Sequence, residues 1–186
     1  AGDRRAGPND EEWRVAQLLS SQLPHRDEIR ITDAVGGGNR PFVFKRFDGT
    51  TTINMGEWYD DPGGMLEGEN RVPDDPSRGT YVRGERLVHE LVHVWQLEHG
   101  SDLLLVAKGM AKVFGEQYDC TPGKNFGDYN LEQQRAVVQD WVRRNYTPRN
   151  AADDFGLSSA RATDETIDDL WRYVRDNIRP GTGSAL

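Results

Sequence analysis

The chain has 186 residues, of which 35% are hydrophobic and 29% charged, and its formal net charge is −8 from 31 acidic and 23 basic side chains. That length supports one domain with its own core, and the single cysteine, Cys120, excludes both an internal disulfide and a zinc site built on cysteines. The acidic balance disfavours nucleic acid and anionic lipid, and no apolar run approaches the ~20 residues of a membrane span, so neither nucleic acid nor a membrane is an expected partner.

Residues 1–10 are rich in Gly, Pro and charge and read as a flexible lead-in, leaving 11–186 as a single domain. No apolar segment follows Ala1–Arg5, so no signal peptide is visible. Asn9 or Asp10 caps a predicted helix from Glu11 to Leu23, with Trp13, Val15, Ala16, Leu18 and Leu19 on its inner side. Glu28 to Val35 alternates loosely as a strand. The turn Gly36-Gly37-Gly38-Asn39 lacks the spacing of a phosphate loop, which removes nucleotide binding from consideration.

Pro41 to Phe47 and the β-branched stretch Thr50 to Met55 flank Asp48-Gly49, a strong hairpin turn, and predict a small antiparallel or mixed sheet. The irregular segment Gly56 to Gly79 has the length of a functional flap. A central helix is predicted from Tyr81 or Arg83 to His99, with Gly100 as its stop, and a second apolar helix from Asp102 to about Phe114. Residues 115–129 read as loop, in which Cys120 is a small loop residue. Asn130 caps a helix from Leu131 to Asn145, with Gln133 at the capping-box position, and a last helix runs from near Thr163 or Asp164 to about Ile178. The expected class is α+β: a small N-terminal sheet packed on the central helix, followed by a mostly helical C-terminal half.

The central helix carries the chemistry. Val88-His89-Glu90-Leu91-Val92-His93 contains His-Glu-x-x-His, and residues four apart on a helix share a face, so His89 and His93 can grip one metal ion. Zinc accepts imidazole nitrogen and lowers the pKa of bound water to about 7; Glu90, beside the ion without being a ligand, then has the position of a general base. A polar helical stripe without metal would have the same letters. Against it, Leu87, Val88, Leu91, Val92, Val94, Trp95 and Leu97 make this helix apolar nearly all round, and polar groups inside such a helix need partners.

Catalytic zinc takes three protein ligands, and three residues compete for the third place. His99 gives the spacing of metzincins, but those enzymes have Gly where this chain has Gln96; on a continuous helix His99 lies about 9 Å along the axis from His93 and about 120° away in azimuth. Glu116 stands at a loop edge. Glu132 lies in the first turn of a helix, where the dipole favours an ionised carboxylate, and it is followed by the amides Gln133 and Gln134. An acidic first-turn residue is common in helices, so position alone leaves the choice open.

The pairing of His-Glu-Leu-Val-His-Val-Trp-Gln with a later Tyr-Asn-Leu-Glu-Gln-Gln, preceded by Thr51-Thr52-Ile53-Asn54-Met55-Gly56, resembles the zincin-like metallopeptidase domains of bacterial polymorphic toxins and Vgr/Rhs-type secretion effectors. The resemblance spans roughly Ile29 to Arg144. It implies a zincin-like fold, zinc held by His89, His93 and Glu132, and Glu90 as general base. It also implies a protein or peptide substrate and a delivered or secreted effector, carried in a larger secreted protein or paired with an immunity protein. One departure stands out: thermolysin-like relatives have an Asp four residues after the ligand Glu, and here that position is Ala136.

The expected activity is therefore zinc-dependent peptide hydrolysis, with Thr51–Met55 as the sheet edge that pairs with an extended substrate. Tyr118, Tyr129 and Tyr146 are equal candidates for the oxyanion donor, and each reads as well as a packed tyrosine. Two rivals remain: a non-catalytic zincin-fold module carried by a secretion apparatus, whose metal would be structural and closed by four ligands, and a zinc amidase acting on cell-wall peptides.

Overall fold

The computed structural model describes residues 4–5, 7–34, 41–56, 59, 85–100, 122–145 and 169–181. The expected helix Asp102 to about Phe114, the candidates Glu116, Tyr118 and Tyr146, Cys120, the Gly36–Asn39 turn and all but a few residues of the Gly56–Gly79 segment lie outside these residues. So does the expected start of the last helix.

The described part is α+β, with a small mixed sheet. Its strands are β1 (Arg4–Arg5), β2 (Ile29–Thr32), β3 (Phe42–Lys45) and β4 (Thr51–Asn54), in the order β1-β2-β4-β3. Arg4–Arg5 pairs antiparallel with Ile31 and Thr32, so the sheet draws on residues that the sequence reads as lead-in. The β3–β4 hairpin forms at Asp48-Gly49 as the turn chemistry dictates. Gly49 adopts φ 87°, the left-handed region that a Cβ disfavours, and Asp48 Oδ1 accepts from the Thr50 amide at 3.0 Å and the Thr50 hydroxyl at 2.6 Å.

One expectation is overturned here. Thr51–Asn54 is not a sheet edge: it pairs antiparallel with β3 on one side and parallel with β2 on the other. All four of its residues are buried, and both its hydrogen-bonding flanks are occupied by backbone, so an extended peptide has no flank to pair with. On that side of the sheet the outermost strand among the described residues is β3, where Phe42 and Phe44 stack at 5.9 Å and Phe44 is exposed.

Helix α1 (Asp10–Leu19) starts with a reciprocal capping box, in which Asn9 Oδ1 accepts from the Glu12 amide at 2.8 Å and Glu12 Oε2 accepts from the Asn9 amide at 2.7 Å. It ends at Ser20, short of the expected Leu23; the Ser20 hydroxyl instead donates to the Ile178 carbonyl at 2.8 Å. Helix α2 (Glu85–His99) is the hub of the described residues, packing on β3, β4, α1 and the later helix α3 (Leu131–Asn145). Leu87, Val88, Leu91, Val92, Val94 and Trp95 are each at most 1% exposed, which is why the helix tolerates no solvent face over this stretch. Lys45 Nζ meets both carboxylate oxygens of Glu98 at 2.8 Å and pins β3 to the C-terminal half of α2.

Helix α3 begins with the expected capping pair: Asn130 Oδ1 accepts from the Gln133 amide at 2.8 Å, and Gln133 Oε1 from the Asn130 amide at 3.2 Å. The last described elements are α4 (Trp171–Tyr173) and a π-helical turn, Val174–Ile178, and Trp171 stacks on Trp141 of α3 at 5.6 Å.

Candidate metal centre

His89 and His93 project one turn apart from α2, with ring centroids 5.7 Å apart and planes at 83°. Each ring has its Nδ1 committed. His89 Nδ1–H donates to Gln139 Oε1 of α3 at 2.9 Å, and His93 Nδ1–H donates to Gln96 Oε1 at 2.9 Å.

The polarity at His93 follows from the network behind it. Gln134 Nε2 donates to the Phe126 and Tyr129 carbonyls at 3.1 and 3.4 Å, and a carbonyl can only accept. Gln134 therefore presents Oε1 to Gln96 Nε2, 3.1 Å away, and Gln96 Nε2 also donates to the Leu131 carbonyl at 3.0 Å. Gln96 is left with its oxygen facing His93. Nδ1 must carry the proton, and Nε2 keeps the lone pair that a metal would use.

Burial sets the charge states. It holds His89 well below the usual imidazole range, reinforced by the Arg135 charge, and it pushes His93 down to about 3, again with Arg135 acting in the same direction. Both rings are neutral at physiological pH, as metal ligands must be. Glu90 is 2% exposed, and burial raises its carboxyl to about 7, against the opposing pull of Arg135 and Arg86. Its Oε1 lies 3.7 Å from His89 Nε2, while Oε2 is buried with no hydrogen-bond partner among the described residues.

From α3, Glu132 brings Oε1 to 4.0 Å from His93 Nε2. Arg135, one turn along, pairs with Glu132 through Nη2 and donates from Nη1 to His93 Nε2 at 2.9 Å. The structure thus gathers His89, Glu90, His93 and Glu132 at the α2–α3 interface. Among the described residues, however, no three His, Cys, Asp or Glu side chains close into a metal-holding cluster. The donor chemistry nevertheless suits a metal of the zinc type: two neutral imidazoles with tautomers fixed for Nε2 donation, one carboxylate, and a buried carboxylate oxygen that lacks a donor. A cation, the Arg135 guanidinium, is already held by two members of that set.

Among the other candidates, His99 ends α2, donates from Nδ1 to the Trp95 carbonyl at 2.9 Å and stacks on the Trp95 ring at 4.8 Å. The helix runs unbroken from His93 to His99, so His99 does not turn back toward the pair. Tyr129 is 2% exposed, and its hydroxyl meets Tyr173 Oη at 3.1 Å and the Lys124 amide at 3.4 Å, the arrangement of a packed tyrosine.

Two residues of α3 escape the sequence reading, Arg135 and Gln139, as does the orienting role of Gln96 on α2. The two on α3 had a signal. Glu132, Arg135 and Gln139 fall at i, i+3 and i+7 of one helix and so share a face. Gln139 also resolves the Ala136 departure, because here amides rather than a carboxylate orient the two histidines.

The chain is 41% identical over 99 residues to the type VI secretion system spike protein VgrG2b of Pseudomonas aeruginosa, a match covering 50% of this chain and 9% of that protein. No family model matches the chain, and no solved structure matches it.

Proposed function

We propose that this domain is a zinc-dependent metallopeptidase with a zincin-like arrangement, in which His89, His93 and Glu132 hold the metal and Glu90 is the general base. The observation that carries the reading is the pair of neutral imidazoles whose Nδ1–H groups are committed, so that Nε2 of each bears the lone pair, beside a buried Glu90 carboxyl whose pKa is raised to about 7. Zinc bound there would polarise the peptide carbonyl and lower the pKa of a bound water to about 7.

Glu90, buried beside His89, has the position to take a proton from the attacking water and deliver it to the leaving amine nitrogen. Gln139 and Gln96 keep the two imidazoles in the tautomer and orientation that ligation requires. The similarity to a VgrG protein supports the coarser setting, a domain carried within a larger secreted or delivered protein. Among the described residues no helix is long and apolar enough to cross a membrane.

Glu90→Gln tests the assignment. It should abolish peptide hydrolysis while one equivalent of zinc stays bound, and retained hydrolysis would end the reading. That the relative is a spike protein favours one rival, a non-catalytic carried module. Under that rival neither the wild type nor Glu90→Gln hydrolyses peptides, and zinc is closed off by four protein ligands.

A further inference from the structure

Arg135 has no part in the hydrolytic reading, yet its guanidinium touches two of the three proposed metal ligands. Nη1 donates to His93 Nε2 at 2.9 Å, Nη2 pairs with Glu132 Oε2, and the Arg135 and Glu132 side chains are each 11% exposed. The contact with His93 runs in one direction only. Guanidinium has N–H groups and no acceptor, and the Nδ1 proton of His93 is spoken for by Gln96, so Nε2 gives its lone pair to Arg135.

That nitrogen has a single lone pair. A metal ion ligated by His93 needs the same one, as well as the carboxylate that Arg135 now pairs with. Arg135 and the metal are therefore mutually exclusive at His93 Nε2. Glu132 has its own need of Arg135: it is 8% exposed, and a nearly buried carboxylate without a cation is costly. Arg135, one helical turn along α3, supplies that cation locally.

We propose that Arg135 is the resident cation of the metal-free state: its guanidinium holds the His93 and Glu132 donors until a divalent metal displaces it from His93. This inference rests on the zinc reading above. It makes loading a cation exchange rather than the filling of a prepared site. The domain stays folded without metal, and the free-metal concentration needed to load it is raised.

The test compares metal-stripped wild type with Arg135→Met, which keeps an apolar stem and removes the charge. Zn2+ is titrated into both against a competing chelator, and the metal-free forms are melted. Arg135→Met should bind zinc at least about tenfold more tightly, since a charge-assisted hydrogen bond no longer opposes the metal. Its metal-free form should melt at a lower temperature than wild type.

Equal or weaker zinc binding by a folded Arg135→Met would overturn the proposal and make Arg135 a clamp that holds Glu132 in place for the metal. If folded wild type and variant both bind no zinc, the zinc reading itself falls and this inference with it. A measurement on the wild type alone covers a variant that fails to fold. The side-chain nitrogen resonances of Arg135 should show a hydrogen-bonded guanidinium in the metal-free protein and shift on zinc addition, together with His93 Nε2. A wild type that binds zinc with the Arg135 resonances unmoved would refute the exchange.

Discussion

Gln96 Nε2 donates to Gln134 Oε1 across the α2–α3 interface at 3.1 Å, and that bond determines which nitrogen of His93 is left for a ligand. Gln96 lies three residues after His93, where its letter reads as ordinary helix, while Gln134 stands two residues after Glu132. The two amides connect the His93 ring to the fixed carbonyls of Phe126, Tyr129 and Leu131, so the tautomer is set by backbone that cannot reverse its polarity.

Replacing Gln96 by Leu removes the acceptor at His93 Nδ1 and leaves the buried Gln134 Oε1 without this donor. Zinc affinity should fall about tenfold to a hundredfold, as for loss of an orienting partner behind a metal ligand. Stability should fall by about 1–3 kcal/mol, for the buried acceptors left behind. A chelator competition assay and a urea melt measure the two. Unchanged zinc affinity would mean that the His93 tautomer does not depend on the relay.

The third ligand is decided by metal stoichiometry on two variants. Glu132 brings a carboxylate oxygen to 4.0 Å from His93 Nε2, whereas His99 Nδ1 is committed to the Trp95 carbonyl. Glu132→Ala should lose zinc, and His99→Ala should keep one equivalent at a stability cost of about 1–3 kcal/mol, for its stacking and its hydrogen bond. The reverse pattern would reassign the ligand.

His99 has a packing role that a second substitution can expose. Gly181 has φ 74°, and a Cβ there would come within 2.6 Å of His99 Nε2. Gly181→Ala should therefore destabilise the protein by about 1–2 kcal/mol for the left-handed backbone alone, and further for displacing the ring. Zinc binding at saturating metal should be unaffected. Calorimetric melting with parallel metal analysis reads both, and a loss of zinc in Gly181→Ala would tie His99 to the site after all.

Local chemistry was legible in the sequence, and partners across packed elements were not. The Asp48-Gly49 hairpin, the Asn130–Gln133 cap and the stop of α2 at Gly100 depend on residues within a few positions of one another, and each forms as its letters dictate. Strand β4 reads as an edge in the sequence because the hairpin reveals only β3 as a neighbour. Its second partner, β2, arrives in parallel from 22 residues upstream, as in the pairing of Ile31 with Ile53. Arg135 is hidden from the sequence for the same reason. Beside Glu132 at i+3 it reads as a solvated helical ion pair, and only the packing of α3 on α2 turns it toward His93.

The buried ionisable groups make the metal-free protein's stability depend on pH in opposing ways. His89 and His93 have folded values pressed below the ordinary 6.5, His93 to about 3, so their contribution is complete above about 6.5 and is lost as the pH falls and the unfolded chain takes up protons. Glu90 is raised from 4.5 to about 7, so its contribution is complete below 4.5 and is lost as the pH rises through 7. Between roughly pH 4.5 and 6.5 the two histidines outweigh the single glutamate, and these groups together favour unfolding as the medium is acidified. Glu90→Gln deletes the opposing member. The variant should lose stability on acidification more steeply than wild type, by about one proton, or ~1.4 kcal/mol per pH unit. Above pH 7 it should be the more stable of the two, because no carboxylate charge remains to be buried. Urea denaturation of both metal-free proteins from pH 5 to 8 gives the comparison. Parallel stability curves would show that Glu90 is ionised and solvated in the fold, and would remove its tuning as an argument for the general base.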